Sequence, residues 1–137
     1  MRVIGATIRA KELVLVVIEE GQGGERTFVA DDSSKLSLND KDQAHVKDFY
    51  KTLESVVLST KVDRIFLVGR PSGGQFGGGS TGFKIEALLQ LLPVTVEIIP
   101  PKTLKTWDDK NPNGICATKF SYQDQAGKAA CLGLSRL

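Results

Sequence analysis

The run Leu13-Val14-Leu15-Val16-Val17-Ile18 contains no polar side chain. An apolar, β-branched-rich segment of this length reads as a strand covered on both faces, so the rest of the chain must supply two covering layers. Arg2-Val3-Ile4-Gly5-Ala6-Thr7-Ile8 precedes it and also reads as a strand. The link Arg9-Ala10-Lys11-Glu12 is short and polar, so the two strands should form a hairpin. After the turn signal Gly21-Gln22-Gly23-Gly24, Arg26-Thr27-Phe28-Val29-Ala30 predicts a third strand, antiparallel to the second.

The covering layers follow. Residues 31–39 read as a polar linker. From Asp40 to Thr60, the residues Val46, Phe49, Tyr50, Leu53, Val56 and Val57 recur at three- and four-residue steps, which predicts a helix with Asn39 or Asp40 as its N-cap. Arg64–Gly69 is a compact buried strand. A glycine-rich segment, residues 70–79, leads into a second helix over Thr81–Leu92, with Phe83, Ala87, Leu88 and Leu91 expected on its core side and Pro93 stopping it. Val94–Ile99 is a last strand. Pro100-Pro101 breaks the chain, Lys102–Trp107 has room for one helical turn, Asp108–Gly114 reads as loop, and Lys119–Leu134 as the final helix. The order βββαβαβα predicts an α/β fold with a mixed five-stranded sheet and helices on both faces. With 137 residues, near the commonest domain length, one domain over 1–137 is expected.

Several function classes are disfavoured. No apolar run approaches the roughly 20 residues of a membrane helix. Met1-Arg2-Val3-Ile4-Gly5 enters a strand rather than a signal segment. A cytoplasmic protein without a membrane partner is therefore expected. Cys116 and Cys131 form no Cys-x-x-Cys pair and His45 stands alone in a predicted helix, so zinc chemistry lacks ligands. Residues 1–60 carry 8 Lys/Arg against 10 Asp/Glu, and residues 61–137 carry 10 against 6. The basic half could face a polyanion.

Gly77-x-Gly79-x-x-Gly82 matches the dinucleotide fingerprint literally, but eight residues separate it from Val68, whereas that fingerprint sits directly after its strand. Gly82-Phe83-Lys84 is not a Walker loop. Two readings stand ahead of nucleotide binding: a turn entering a helix, or an anion or nucleic-acid contact made by Arg70, Lys84 and the amides around Gly77, Gly79 and Gly82. A basic set can be drawn from Arg70, Lys84, Lys102, Lys105, Lys119 and Lys128. Trp107 and Phe76 are candidates for stacking on bases or for core positions.

The element order resembles the ribonuclease H-like superfamily, which includes RuvC-type resolvases. More closely, the chain resembles an uncharacterised bacterial family of small RuvC-like proteins. The resemblance is carried by Arg2-Val3-Ile4-Gly5, Val62-Asp63-Arg64, the segment Gly77-Gly78-Gly79-Ser80-Thr81-Gly82-Phe83-Lys84-Ile85-Glu86-Ala87 with Gln90-Leu91, and Ile99-Pro100-Pro101 with Leu104-Lys105. It implies metal-binding acids on the first strand, after the fourth strand and on the last helix. Those positions fall on Thr7 or Ala6, on Gly69, and on Asp124, with Gln125 and Lys128 in the alternative slots. The resemblance thus implies the fold, while the acids for two-metal chemistry are largely missing and no metal is expected. The leading expectation is a catalytically degenerate binding or adaptor module, with Asp124 the retained acid and nucleic acid a candidate ligand through Arg70, Lys84, Lys102, Lys105 and Lys128. The alternatives are a Mg²⁺- or Mn²⁺-dependent nuclease with acids relocated to Glu12, Asp108, Asp109 or Asp124, and a protein-interaction subunit or homodimer without nucleic-acid binding.

Overall fold

The computed structural model describes residues 1–69, 79–112 and 118–137. Its first two strands, β1 (Arg2–Arg9) and β2 (Glu12–Glu20), pair antiparallel from Arg2 opposite Glu19 to Arg9 opposite Glu12. The turn is tight because Ala10 takes a left-handed conformation, φ 54°. Next come β3 (Arg26–Phe28), a 3₁₀ turn (Ala30–Asp32), β4 (Ser34–Ser37), α1 (Gln43–Thr60), β5 (Arg64–Val68), α2 (Ser80–Gln90), β6 (Thr95–Ile99), α3 (Pro101–Lys110), a 3₁₀ turn (Ser121–Gln123) and α4 (Asp124–Arg136). The strands line up as β3-β2-β1-β5-β6, with β5 and β6 added parallel to β1.

Alternation along the central strands divides their side chains between two layers. Ile4, Ala6, Leu13, Leu15, Val17, Ile65 and Leu67 meet Phe49, Leu53 and Val57 of α1 and Ile85 and Leu89 of α2. Val3, Val14, Val16, Ile18, Phe66 and Ile99 meet Leu104 of α3 and Ala126, Ala129 and Ala130 of α4. Helices therefore cover both faces. Each large side chain fully buried this way contributes about 1.5–3 kcal/mol before entropy is counted. The α4 layer sits closest. A Cβ added to Gly5 would lie 1.7 Å from the Ala126 carbonyl oxygen, and one added to Gly133 would lie 2.3 Å from the Phe66 ring.

Four local expectations need correction. The linker at residues 31–39 contains a sixth, short strand, β4, paired with β2 through Leu13 and Leu36. It and β3 occupy successive lengths of one β2 edge. The Ser33 hydroxyl spans the gap, accepting from the Val17 amide at 3.0 Å and donating to the Val29 carbonyl at 2.9 Å. Unpaired β2 backbone groups specify this strand, which Ser-Lys-Leu-Ser alone does not advertise. α1 begins at Gln43, and its cap is Asp42, whose carboxylate accepts from the Ala44 amide at 3.0 Å.

The core face of α2 is Gly82, Ile85 and Leu89, whereas Phe83, Ala87 and Leu91 are exposed. Apolar residues surround this helix, so two sets of three- and four-residue steps fit it equally well. α3 has ten residues instead of one turn and takes in Asp108 and Asp109. Pro101 starts it, because proline at the first helical position gives up no hydrogen bond and presets φ. Residues 70–78, with Arg70, Phe76 and Gly77, and residues 113–117, with Cys116, lie outside the described residues.

Candidate functional site

The parallel strands β1 and β5 end together, and the segment entering α4 crosses their carboxyl ends. A cleft of about 340 Å³ opens there, lined by Thr7, Ile8 and Arg9 of β1, Val68 of β5, Ser121 and Tyr122 of the second 3₁₀ turn, and Gln125 in the first turn of α4. Clefts at the carboxyl ends of parallel strands are where open α/β sheets place ligands, since the connecting loops diverge there. This lining offers two hydroxyls, a phenol, an amide and a guanidinium. It contains no carboxylate.

The acid positions implied by the resemblance can be read directly. Thr7 lines the cleft. Gly69 donates its amide to the Ile99 carbonyl at 2.7 Å, and a Cβ there would lie 3.0 Å from Ile98 Cγ2, so a side chain at 69 would crowd β6. Asp124 is exposed at the first turn of α4, where the helix dipole favours a negative charge. Its carboxylate accepts from the Thr118 hydroxyl at 2.8 Å. Gln125 joins the cleft, while Lys128 binds Asp108 of α3 at 2.9 Å. Among the described residues no group of three or more His, Cys, Asp or Glu could hold a metal ion. Segments 70–78 and 113–117 contain no Asp or Glu in their sequence. Divalent cations of the nuclease type need several oxygen anions, and the donor set of this cleft does not fit them.

What the cleft does have is an aromatic, cationic rim. The Tyr122 and Phe120 rings stack, with centroids 5.4 Å apart and planes 9° from parallel. Lys35 Nζ lies 4.6 Å from the Tyr122 centroid and Lys119 Nζ 5.3 Å from that of Phe120. Phe120 is 46% exposed and Tyr122 38%. The buried Gln123 fixes this step, its side-chain oxygen accepting from the Lys119 amide at 3.1 Å and the Phe120 amide at 3.0 Å. Lys35 also lies 3.6 Å from Glu12. A cation over an exposed ring is worth about 0.5–1 kcal/mol, and a stacked base about 1–3.

The basic set drawn from sequence does not gather on one face. Lys84, on α2, pairs with Asp40 at 3.1 Å, and its ammonium, followed by the Thr81 hydroxyl, holds the Asp40 carboxyl below its ordinary range. Lys102 and Lys105 are exposed on α3, beyond the opposite sheet face. Gly79 is the N-cap of α2 and Gly82 is buried in that helix. Trp107 packs half-buried against the α3–α4 core, and His45 Nδ1 accepts from the Asn39 amide at 3.0 Å. Arg9, Lys35, Phe120 and Tyr122 were missed. The sequence signal is the interleaving of Lys119-Phe120-Ser121-Tyr122, which helical periodicity reads as the first turn of the last helix but which lies ahead of it, in the 3₁₀ turn and the residues before it. No helix among the described residues is long and apolar enough to cross a membrane.

Comparison with known proteins places this geometry. Residues 1–133 match the family described as a protein of unknown function (DUF3010). No curated protein matches the chain. Among solved structures, Thermus thermophilus RuvC in complex with Holliday junction substrate is similar at 13% identity, TM-score 0.67, over 96% of this chain and 91% of that one. The fowlpox virus Holliday junction resolvase is similar at 13% identity, TM-score 0.53, over 99% and 97%. The yeast mitochondrial Holliday junction resolvase is similar at 11% identity, TM-score 0.58, over 95% and 74%. At such identities the likeness speaks for the fold, which is RuvC-like across nearly the whole chain and agrees with the resemblance read from the sequence.

Proposed function

The chain belongs to the DUF3010 family, and from that premise we propose that it is a catalytically degenerate RuvC-like domain that binds nucleic acid in its strand-end cleft. The observation that carries the reading is the lining of that cleft: it holds Arg9, hydroxyls and Tyr122 without a carboxylate, and Thr7 is at the first-strand position where the resemblance implies an acid. The structurally similar RuvC in complex with Holliday junction substrate supports the choice of nucleic acid as ligand class. The chemistry agrees with it. Arg9, Lys35 and Lys119 supply positive charge for phosphates, and the Phe120–Tyr122 step supplies ring surface for bases.

The test is incubation of the purified protein with branched, duplex and RNA–DNA hybrid substrates in Mg²⁺ or Mn²⁺, with binding measured at several salt concentrations. Binding without cleavage is expected. Three phosphate contacts would give a slope of log affinity against log salt of roughly −2 to −3. Arg9→Ala and Lys35→Ala should each weaken binding and reduce that slope by about 1. Cleavage that disappears in Asp124→Asn would overturn the degenerate reading, and no binding at low salt would overturn the ligand class.

A further inference from the structure

A second cavity, of about 420 Å³, lies between α3 and α4 and shares no lining residue with the strand-end cleft. From α3 it takes Lys102, Thr103, Thr106 and Lys110, which lie along one side of the helix over two turns, or about 12 Å. Its floor is apolar: Trp107, half-buried against the core, and Leu132 of α4, 1% exposed. Arg136 closes the rim, held 3.1 Å from Glu97 of β6. Three cations thus surround an apolar floor, and no carboxylate lines it. Asp108 points to the other flank, where Lys128 neutralises it. The Asn111 side chain donates to the Trp107 carbonyl at 2.8 Å and steadies the end of α3.

We infer that this groove is a docking site for a partner protein, taking an acidic peptide segment that carries one large apolar side chain. Charge complementarity selects the acid: the exposed Lys102 and Lys110 make the rim cationic, no carboxylate lines the groove, and Glu97 beside it is already engaged by Arg136. The floor selects the anchor. Trp107, half-buried over the already buried Leu132, offers the apolar surface that an inserted phenylalanine or leucine would cover, in the manner of anchors at protein interfaces. A phosphodiester chain suits the groove less well, since bases stack on exposed ring faces and this indole is half-buried beside a leucine.

The test uses the full chain, whose sole tryptophan is Trp107. Its emission is followed while a synthetic aspartate-rich peptide ending in phenylalanine is titrated in. The same peptide with alanine replacing the phenylalanine, and a single-stranded oligonucleotide, are titrated in parallel. A saturable emission change with the first peptide is expected, weakened roughly tenfold by loss of the phenylalanine and by either Lys102→Glu or Lys110→Glu. Both lysines are exposed, so the variants should fold, which circular dichroism checks. Lys102→Glu should leave the salt slope of oligonucleotide binding unchanged, which separates failure at this groove from failure at the cleft. No saturable change overturns the inference. So does equal binding of the two peptides, and so does an emission change caused by the oligonucleotide and lost in Lys102→Glu.

Discussion

Replacing Gly5 by alanine tests the close seat of α4 and the cleft it builds. An added Cβ would lie 1.7 Å from the Ala126 carbonyl oxygen, 2.8 Å from the Ala126 carbonyl carbon and 2.9 Å from the Ala130 amide nitrogen. All three are backbone atoms of the helix, so no side chain can rotate away. β1 cannot retreat either, because Gly5 is paired with Val16 of β2 and Phe66 of β5 in the middle of the sheet. Ordinary contact begins near 3.4 Å, so α4 must back off by something on the order of 1.5 Å. That loosens Gly133 from the Phe66 ring as well. Overpacking a well-filled core costs about 1–3 kcal/mol, and with backbone on both sides the upper end applies, about 3 kcal/mol. Unfolding entropy of about 2.1 cal/mol/K per residue gives roughly 290 cal/mol/K for this chain, so Tm should fall by about 10 °C. Urea unfolding should show a lowered midpoint with the slope unchanged. Tyr122 and Gln125 ride on the displaced segment, so oligonucleotide affinity should drop too. A Gly5→Ala protein within about 0.5 kcal/mol of the parent, with unchanged affinity, would refute the reasoning.

Three further outcomes are expected. Tyr122→Ala should weaken single-stranded binding roughly 5- to 150-fold and duplex binding much less, as read by fluorescence anisotropy; equal losses on both would count against stacking. Because the Lys84 ammonium lowers the Asp40 pKa in the folded protein, the stability this group contributes is present above its unfolded value and is lost as pH falls through the folded one. Lys84→Met should therefore move the Asp40 carboxyl back up in an NMR titration, and its effect on the urea midpoint should fade once Asp40 is protonated. A double-mutant cycle on Asp108 and Lys128, 2.9 Å apart with side chains 33% and 19% exposed, should give a coupling of up to about 1 kcal/mol that shrinks with salt; a coupling that salt leaves untouched would mean the pair is held by something other than charge.

The framework was legible because it is written in local periodicity. The unbroken Leu13–Ile18 run, the polar link before it and the three- and four-residue recurrence from Val46 to Val57 report burial whatever the rest of the chain does. The hairpin, both covering layers and the RuvC-like order follow from them. Where periodicity was silent or doubly satisfied, the reading failed. β4 is a strand because β2 has an open edge. α2 turns Ile85 and Leu89 inward because apolar residues surround that helix and only packing can choose among them. α3 runs to Lys110 because a proline that interrupts a helix in its interior starts one at its first position.

The cleft belongs to this second kind. Thr7, Val68 and Tyr122 are separated by some fifty residues or more at each step, and no short-range pattern records that they meet. The sequence by itself determined that Thr7 and Gly69 stand at the strand-end positions where the resemblance implies acids, since the identity of a residue is visible in any conformation. Only the tertiary structure decided what gathers beside Thr7: Arg9 and Tyr122, with Lys35 drawn from an edge strand and Phe120 stacked on Tyr122. The physical reason is that an absent charge is a property of a residue, whereas a binding surface is a property of neighbours, and neighbours are set by how the helices close over the sheet.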